Sequence, residues 1–217
     1  PYTHSGVLAS ALAMDKPMAK KVLKEVGITV ADHQISTREE LFNGVDLETP
    51  YVIKPLNEGS SVGVNINHEE DNYIPFEDVW PYDNLVMLEQ YIPGRELTVA
   101  VMGDSALAVT EIVTHRQFYD YDAKYAHGGS KHQVPAQLPS QIYDEALRIS
   151  VLAHETLGCR GVSRSDIRYD GKDLYLLEVN TQPGMTPTSL VPEQALYADI
   201  SYENLVTWLV ENAACDS

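Results

Sequence analysis

Apolar residues recur with helical spacing in several stretches of the sequence, which polar caps and glycines separate. The clearest stretch follows Asp15, with Pro17 in its first turn and Gly27 just past its end. Thr37 and Glu40 form a capping box that opens a short helix. The pattern predicts longer helices, each with a polar N-cap, over residues 6–14 (Ser5), 16–26 (Asp15), 142–157 (Ser140) and 202–213 (Ser201).

Shorter apolar runs between turn residues predict strands. They cover residues 28–35, 51–54, 64–66, 85–92, 97–102, 106–113, 160–169 and 174–179. Two pairs of strands form predicted hairpins, one about Gly103-Asp104 and one about Asp170-Gly171. Because strands and helices do not alternate in a strict βαβ rhythm, the pattern favours an α+β fold with antiparallel sheets.

The composition of the 217 residues is that of a folded globular protein, with 44 % hydrophobic and 22 % charged residues. The charge balance is unusual, because 32 acidic residues face 15 Lys and Arg residues and give a formal net charge of −17. Such a chain is poorly suited to coat nucleic acid or an anionic membrane, so neither is expected as a partner. A small anionic ligand stays open, because a few lysines can hold a phosphate on an acidic protein.

Cys159 and Cys215 match neither a disulfide framework nor a zinc-binding spacing. They indicate free thiols in a reducing compartment. No apolar run approaches the roughly 20 residues of a membrane helix, and no signal-peptide pattern is present. The sequence therefore predicts a cytoplasmic location.

The predicted hairpin at residues 160–179 carries oxygen donors that suit a metal ion. Side chains two apart on a strand share a face, so Arg164 lies beside Asp166, and Glu178 beside Asn180. A five-residue loop, residues 170–174, would set 166 opposite 178 and 164 opposite 180. Carboxylate and amide oxygens suit Mg²⁺, whereas an arginine suits a phosphate or carboxylate. The alternative is a solvated polar hairpin face, against which the apolar run at 174–177 argues.

A glycine- and serine-rich loop, Glu58-Gly-Ser-Ser-Val-Gly63, follows Lys54 at the end of a strand. Its backbone N–H groups can cradle phosphate oxygens, although it matches neither a Walker motif nor the dinucleotide fingerprint. Together with Lys16 and Lys54, the loop predicts a phosphate site. A lysine at a strand end, such as Lys54, is by itself more often a surface residue whose stem packs on the strand. Lys124, in a loop rich in Tyr, is either a lid residue or part of a plain surface loop.

Taken together, these motifs resemble those of a D-alanine–D-alanine ligase of the ATP-grasp superfamily. The segments that carry the resemblance run nearly end to end. They are Tyr2 to Lys16, Val52-Ile-Lys-Pro55, Glu58-Gly-Ser-Ser-Val-Gly63, Leu88-Glu-Gln-Tyr-Ile-Pro-Gly-Arg-Glu-Leu-Thr98, Phe118-Tyr-Asp-Tyr-Asp-Ala-Lys-Tyr125, Leu157-Gly-Cys-Arg-Gly-Val-Ser-Arg-Ser-Asp166, Leu176-Leu-Glu-Val-Asn-Thr-Gln-Pro-Gly-Met-Thr186 and Ser189-Leu-Val-Pro192. The resemblance implies two lobes, residues 1–88 and 89–217, with a nucleotide held between their antiparallel sheets.

The resemblance also implies which residues bind ATP. The matching positions are Lys16, Lys54, Glu58, Gly59, Ser60, Ser61, Glu89, Gln90, Tyr91, Ile92, Glu96, Phe118 and Lys124. Among them, Lys16 and Lys54 correspond to lysines on the phosphates, residues 89–92 to the segment that faces adenine, and Glu96 to the acceptor of the ribose hydroxyls.

Other matching positions imply the metal and substrate sites. Asp166, Glu178 and Asn180 correspond to ligands of two Mg²⁺ ions, with Mn²⁺ as an alternative ion. Arg164 and the N–H of Gly184 correspond to the groups that contact the first substrate's carboxylate and the oxyanion.

Two further sets of residues complete the implied active site. Ser189 and Leu190 match the site for the second substrate's carboxylate. Lys124 and Tyr125 match the lid, with Tyr125 expected near Ser60.

The implied reaction makes D-alanyl-D-alanine for peptidoglycan. ATP phosphorylates one D-alanine to an acyl phosphate, and the amine of a second D-alanine displaces the phosphate. The family has a further N-terminal domain, to which nothing here corresponds and which carries much of the homodimer contact. We therefore expect the full-length protein to be a homodimer, and this chain to bind ATP and Mg²⁺ with weak or absent turnover.

Two alternatives stay open. One is a sister ligase that joins D-alanine to D-lactate, against which the lid sequence Asp-Ala-Lys-Tyr125 argues. The other is an ATP-binding chain without turnover, because part of the first substrate's site is expected from the N-terminal domain.

Overall fold

The computed structural model of the protein describes residues 1–41, 47–59, 62–68, 84–114 and 130–216. The helices are α1 (Val7–Met14), α2 (Lys16–Glu25), α3 (Arg38–Leu41), α4 (Ser140–Thr156), α5 (Leu190–Tyr197) and α6 (Tyr202–Glu211). The strands are β1 (His33–Thr37), β2 (Tyr51–Pro55), β3 (Asn65–Asn67), β4 (Leu85–Gln90), β5 (Arg95–Met102), β6 (Ser105–Thr114), β7 (Ser130–Gln133), β8 (Val162–Tyr169) and β9 (Leu174–Asn180). Every strand pair is antiparallel, which confirms the predicted α+β fold.

The first sheet has the strand order β1-β4-β2-β3, and its central strands are short and apolar. Ile53, Val86 and Leu88 pack with Leu41 and Tyr51 into a small core on this sheet. Burial of every residue of β2 explains why a run of only five residues forms a stable strand.

The second sheet has the order β7-β6-β5-β8-β9 and carries the larger core. On one face α4 packs over a cluster that includes Leu97, Val99 and Ile167. Ala100 belongs instead to a cluster with α5 and α6, because successive side chains of a strand point to opposite faces. Helices therefore cover both faces of this sheet.

The N-terminal helices pack against the second sheet, although the first sheet follows them in the sequence. Leu23 and Ile28 share a buried cluster with Leu157 of the α4 end and Leu176 of β9. The strand predicted at residues 28–35 is therefore wrong in its bounds, because β1 covers His33–Thr37. The N–H of Leu176 donates to the carbonyl of Thr29 at 2.9 Å, and the side chains of Ile28 and Val30 pack into this cluster before the chain enters the first sheet. The division of the chain at residues 88 and 89 stays a prediction.

Most predicted helix caps are confirmed. The carboxylate of Asp15 accepts the N–H of Met18 at 3.0 Å, and the hydroxyl of Ser201 accepts the N–H of Asn204 at 3.2 Å. Thr37 and Glu40 exchange two hydrogen bonds, as a capping box requires.

Two predicted caps are wrong. The N-cap of α1 is Gly6, because the Ser5 side chain is buried and its hydroxyl donates to the carbonyl of Arg160 at 3.1 Å. The N-cap of α4 is Pro139, and Ser140 is the first residue inside the helix. Among the helices described, none has the length and apolar character needed to cross a membrane.

Candidate functional site

A cleft lies between the two sheets, with walls from β2 and β4 on one side and β5, β8 and β9 on the other. The structure brings many of the predicted site residues together here, namely Lys16, Lys54, Glu58, Glu89, Gln90, Tyr91, Ile92, Glu96, Asp166 and Glu178. Residues from both sheets and from α2 therefore meet at a single site.

Three charged side chains form a buried ion-pair group at the inner wall of this cleft. The carboxylate of Glu89 lies 2.7 Å from the ammonium of Lys54 and 2.6 Å from that of Lys20, and the three side chains are at most 9 % exposed. Burial alone would raise the pKa of Glu89, but the two lysines outweigh it and lower the pKa to about 2. Glu89 is therefore ionised at neutral pH.

Lys20 is a site residue that the sequence analysis missed. It lies four residues after Lys16 on α2, so both side chains share one helix face. Burial lowers the pKa of Lys20, and the carboxylate of Glu89 opposes that change. The i,i+4 spacing was the signal that could have identified it.

Lys16 lies at the start of α2 and reaches the backbone at the beginning of the glycine-rich loop. Its ammonium donates to the carbonyl of Leu56 at 3.5 Å and to the carbonyl of Glu58. Burial lowers the pKa of Lys16, whereas the carboxylate of Glu178 across the cleft raises it. Lys16 on the lysine side of the cleft therefore lies within electrostatic reach of the acidic side.

The β8–β9 hairpin has the predicted register, with Asp166 opposite Glu178 and Arg164 opposite Asn180. The route to this register differs from the prediction. The loop is one residue shorter, because Leu174 already pairs with Tyr169, and an irregularity next to Asp166 restores the alignment. This β-bulge places Leu177 and Glu178 together on the cleft wall.

Hydrogen bonds hold the oxygen donors of this hairpin in place. The Arg164 guanidinium donates two bonds of 2.9 Å to the carboxylate of Asp166, which also lies 2.8 Å from the hydroxyl of Thr98. The side-chain oxygen of Asn180 accepts the N–H of Gln182 at 2.9 Å. The amide is thereby oriented, and its oxygen keeps a second lone pair for another partner.

The donor set fits a hard divalent cation in its chemistry, because it offers two carboxylates and one amide oxygen. Among the described residues, no group of three or more His, Cys, Asp and Glu side chains lies close enough to hold a metal ion. A cation at this hairpin would thus depend on Asn180 and on sharing Asp166 with Arg164, and its remaining ligands would come from the bound substrate or water.

Gly184 and Ser189 lie close together before α5. A Cβ atom on residue 184 would lie 2.9 Å from the Ser189 hydroxyl, so only glycine leaves this hydroxyl in place. The same hydroxyl accepts the N–H of Thr186 at 3.2 Å. Leu190, the first residue of α5, is buried against Ile112 of β6. Because the first N–H groups of a helix have no acceptor within the helix, this helix start suits a carboxylate.

Arg168 is a second residue that the sequence analysis missed. It lines the cleft from β8, and its side chain contacts the linker of residues 91–94, which joins β4 to β5. Its position two residues after Asp166, on the same strand face, was the available signal.

Several predicted site residues lie outside the described part of the chain: Ser60, Ser61, Phe118, Lys124 and Tyr125. Gly59 is described, and its carbonyl accepts the N–H of Val62 at 3.1 Å in a turn. The roles assigned to all of these residues stay predictions.

Comparison with known families identifies one match that covers most of the chain. Residues 22–211 match the family model described as the D-ala D-ala ligase C-terminus. A D-alanine–D-alanine ligase from Rhodospirillum rubrum is 62 % identical over 100 % of this chain and 72 % of its own length. The ligase of Parvibaculum lavamentivorans is 55 % identical, over 100 % of this chain and 73 % of its own.

Solved structures share the fold. The D-alanine–D-alanine ligase from Bacillus anthracis complexed with ATP superposes with a TM-score of 0.79 at 29 % identity, over 97 % of this chain and 69 % of that one. The VanG D-Ala:D-Ser ligase from Enterococcus faecalis has a TM-score of 0.83 at 30 % identity, over 97 % of this chain and 64 % of that one.

Proposed function

Because the chain belongs to the D-alanine–D-alanine ligase family, we propose that it joins two D-alanine molecules into D-alanyl-D-alanine, with cleavage of ATP to ADP and phosphate. The observation that carries this proposal is the single cleft in which buried lysines from one side face Asp166 and Glu178 on the other. The dipeptide is a precursor of peptidoglycan, so the family places the activity in cell-wall synthesis.

The inner end of the cleft is the proposed triphosphate site. Lys16 and Lys54 are the cations there, and the glycine-rich loop that follows Lys54 would add backbone N–H donors. The ligase from Bacillus anthracis binds ATP, which supports the same ligand for this chain. Residues 89–92 are proposed to face the base, and Glu96 to accept the ribose hydroxyls.

The β8–β9 hairpin is the proposed Mg²⁺ site, with Asp166, Glu178 and Asn180 as the protein ligands. When bound, Mg²⁺ would neutralise charge on the phosphates and on the phosphoryl group in transfer. Because the protein must bring ATP and a substrate carboxylate together, unscreened repulsion would otherwise oppose the reaction.

In the proposed reaction the carboxylate oxygen of the first D-alanine attacks the γ-phosphorus, and the bond to ADP breaks. The neutral amine of the second D-alanine then attacks the acyl carbon, and inorganic phosphate leaves with the oxygen that had bridged the two groups. Arg164 and the N–H of Gly184 are proposed to bind the carboxylate and the oxyanion that develops on it. No general base is assigned.

The start of α5 is the proposed site for the carboxylate of the second D-alanine. Ser189 would donate its hydroxyl, and Leu190 fixes the helix start through its burial against Ile112. The predicted lid residues Lys124 and Tyr125 would close over both substrates and exclude water, which otherwise hydrolyses an acyl phosphate.

We propose D-alanine rather than D-lactate or D-serine as the second substrate. The 62 % identity to a D-alanine–D-alanine ligase supports this choice. The fold alone does not separate the acceptors, because a D-Ala:D-Ser ligase superposes as well as the D-alanine enzymes do.

Product analysis tests the proposal. The chain is incubated with ATP, Mg²⁺ and D-alanine, alone or with D-lactate or D-serine, and the products are identified by mass spectrometry, which detects even weak turnover. We expect slow turnover at most, with ATP-dependent D-alanyl-D-alanine as the main product. A predominant depsipeptide would favour the D-lactate alternative, and binding of ATP without any D-alanine-dependent product would favour the binding-only alternative.

A cytoplasmic location and, for the full-length protein, a homodimeric state belong to the same proposal. The first follows from the need for ATP, and the second from the family. Fractionation of cells and sedimentation of the full-length protein would test them, and a full-length protein that sediments as a monomer at all concentrations would contradict the dimer.

A further inference from the structure

Arg168 of the second sheet contacts the linker that joins the two sheets. Its Nε donates to the carbonyl of Ile92 at 3.0 Å, and its guanidinium lies 3.3 Å from the carboxylate of Glu96. The side chain is only 13 % exposed, so these bonds form in partly desolvated surroundings. A single side chain of β8 therefore binds both the linker and the beginning of β5.

The linker is also held by close backbone packing. Gly94 has a φ of +100°, and any side chain there would collide with the carbonyl oxygen of Tyr169. The ring of Tyr91 lies 5.8 Å from the Arg168 guanidinium carbon, within reach of a cation–π contact. The end of β8 thus fixes the linker at both ends.

Apolar side chains contribute to the wall of the cleft, among them Val52, Val64, Ile92 and Leu177. Strand β8 contributes the cation Arg168 to the same wall. An apolar slot between two sheets suits the flat face of a nucleobase, and the linker backbone would meet the edge of that base.

We propose that Arg168 is a positioning residue that sets the nucleobase preference of the site by fixing the peptide groups of the linker. This inference rests on the proposed ATP-dependent function. Adenine and guanine present opposite donors and acceptors on the edge that a linker backbone would read, so selection between them depends on how firmly those peptide groups are oriented.

The role needs a guanidinium and not only a positive charge. Arginine can direct one N–H to Ile92 and another to Glu96 at the same time, because its donors lie in a fixed plane. A lysine ammonium on a flexible stem would keep the charge but would not hold both acceptors in this geometry.

Equilibrium binding of ATP and GTP separates this role from a general one. The dissociation constants are measured for the wild type, Arg168→Met and Arg168→Lys. Arg148→Met is the control, because Arg148 is an exposed arginine on α4 that pairs with Glu145. For both Arg168 variants we expect ATP binding to weaken by about tenfold while GTP binding changes by less than about threefold, so that the preference for ATP falls. If GTP binds too weakly to be detected in the wild type and in every variant, its affinity is treated as unchanged.

The results that overturn the inference are distinct. ATP affinity unchanged in Arg168→Met, equal weakening of ATP and GTP, or wild-type affinity in Arg168→Lys would each contradict it. Melting temperatures of the unliganded variants identify a folding defect, and the lysine variant keeps the test valid where the methionine variant is unstable. A wild-type chain that binds neither nucleotide would overturn the proposed function together with this inference.

Discussion

Glu89 has surroundings that its place in the sequence does not reveal. The resemblance assigns it to the segment that faces adenine, and that role stays a prediction. In the structure its carboxylate is nearly fully buried between Lys20 and Lys54. Removal of any one member of this group is costly, because the remaining charges stay buried without a partner.

We predict that Glu89→Gln destabilises the protein by about 3–5 kcal/mol at neutral pH, since two buried ammonium groups lose their carboxylate. The pKa of Glu89 is lowered from its ordinary 4.5 to about 2, so its ionisation stabilises the folded state above pH 4.5. That contribution disappears as the pH falls from 4.5 towards 2.

Urea unfolding between pH 2 and 7 checks this prediction, with the exposed Glu155→Gln on α4 as the control. The wild type and the control should lose stability steeply below pH 4.5, and Glu89→Gln should show a shallower loss. Equal acid dependence in all three proteins would show that Glu89 is not the group concerned.

Lys54 carries the second prediction at this scale. Lys54→Met should weaken ATP binding by about 10- to 100-fold, because a charge-assisted bond to phosphate is lost. Lys21→Met, an exposed change on α2 outside the cleft, should bind ATP as the wild type does. Calorimetric titration measures both, and equal affinities in the two variants would remove Lys54 from the ATP site.

At the scale of elements, the β8–β9 hairpin shows why a correct prediction can rest on an incorrect detail. The alternation of side chains and the position of Asp170-Gly171 were enough to predict which residues face each other. The same pattern could not predict the loop length or the bulge at Leu177. A bulge depends on how a strand packs against its neighbours, and it leaves no regular pattern in the sequence. The two errors cancel, so the candidate metal ligands were placed correctly opposite each other.

Strand β5 has a similar irregularity, and Gln194 of α5 satisfies the backbone groups there. Its side-chain oxygen accepts the N–H of Ala100 at 2.7 Å, and its amide donates to the carbonyl of Thr98 at 3.1 Å. These backbone groups lie where the pairing of β5 with β6 shifts register between Val99 and Val101. In the sequence Gln194 is only a polar residue on an otherwise apolar helix face, which does not indicate that it binds the backbone of β5.

We predict that Gln194→Leu lowers the free energy of unfolding by about 2–4 kcal/mol, because two buried backbone groups lose their partners. Gln141→Leu, at an exposed position of α4, is the matched control and should stay close to the wild type. Urea denaturation measures both variants. A Gln194→Leu protein as stable as the control would mean that water or the strand itself satisfies those groups.

At the scale of the whole molecule, the sequence predicted the class of fold but not how its parts share their cores. Local periodicity identified α1 and α2, yet nothing local indicates that they pack on β9 and α4 rather than on the sheet that follows them. The same limit applies to the cleft. The lysines and carboxylates were recognised singly or through the family resemblance, while Lys20 and Arg168 were found only when distant segments came together.

The two ends of the described chain are joined by Asp216. Its carboxylate accepts the N–H of Val7 at 2.9 Å and the hydroxyl of Tyr2, and it pairs with Arg160 at 3.3 Å. A residue near the C-terminus thereby caps the helix that begins at Val7.

Asp216→Ala should lower the urea midpoint of unfolding and speed hydrogen exchange at the start of α1, because the helix loses its cap. Asp144→Ala, an exposed change on α4, should do neither. Exchange that is equally slow in both variants would show that Asp216 does not stabilise this helix end.

Isotope transfer shows whether this cleft activates a D-alanine carboxylate with ATP. D-alanine with ¹⁸O in its carboxylate is supplied, and the released phosphate is analysed by mass spectrometry. We expect one ¹⁸O atom in each phosphate formed with a dipeptide, because the bridging oxygen of the acyl phosphate leaves with phosphorus. Phosphate without ¹⁸O would mean that no acyl phosphate forms on the D-alanine carboxylate, and the proposed reaction would be wrong.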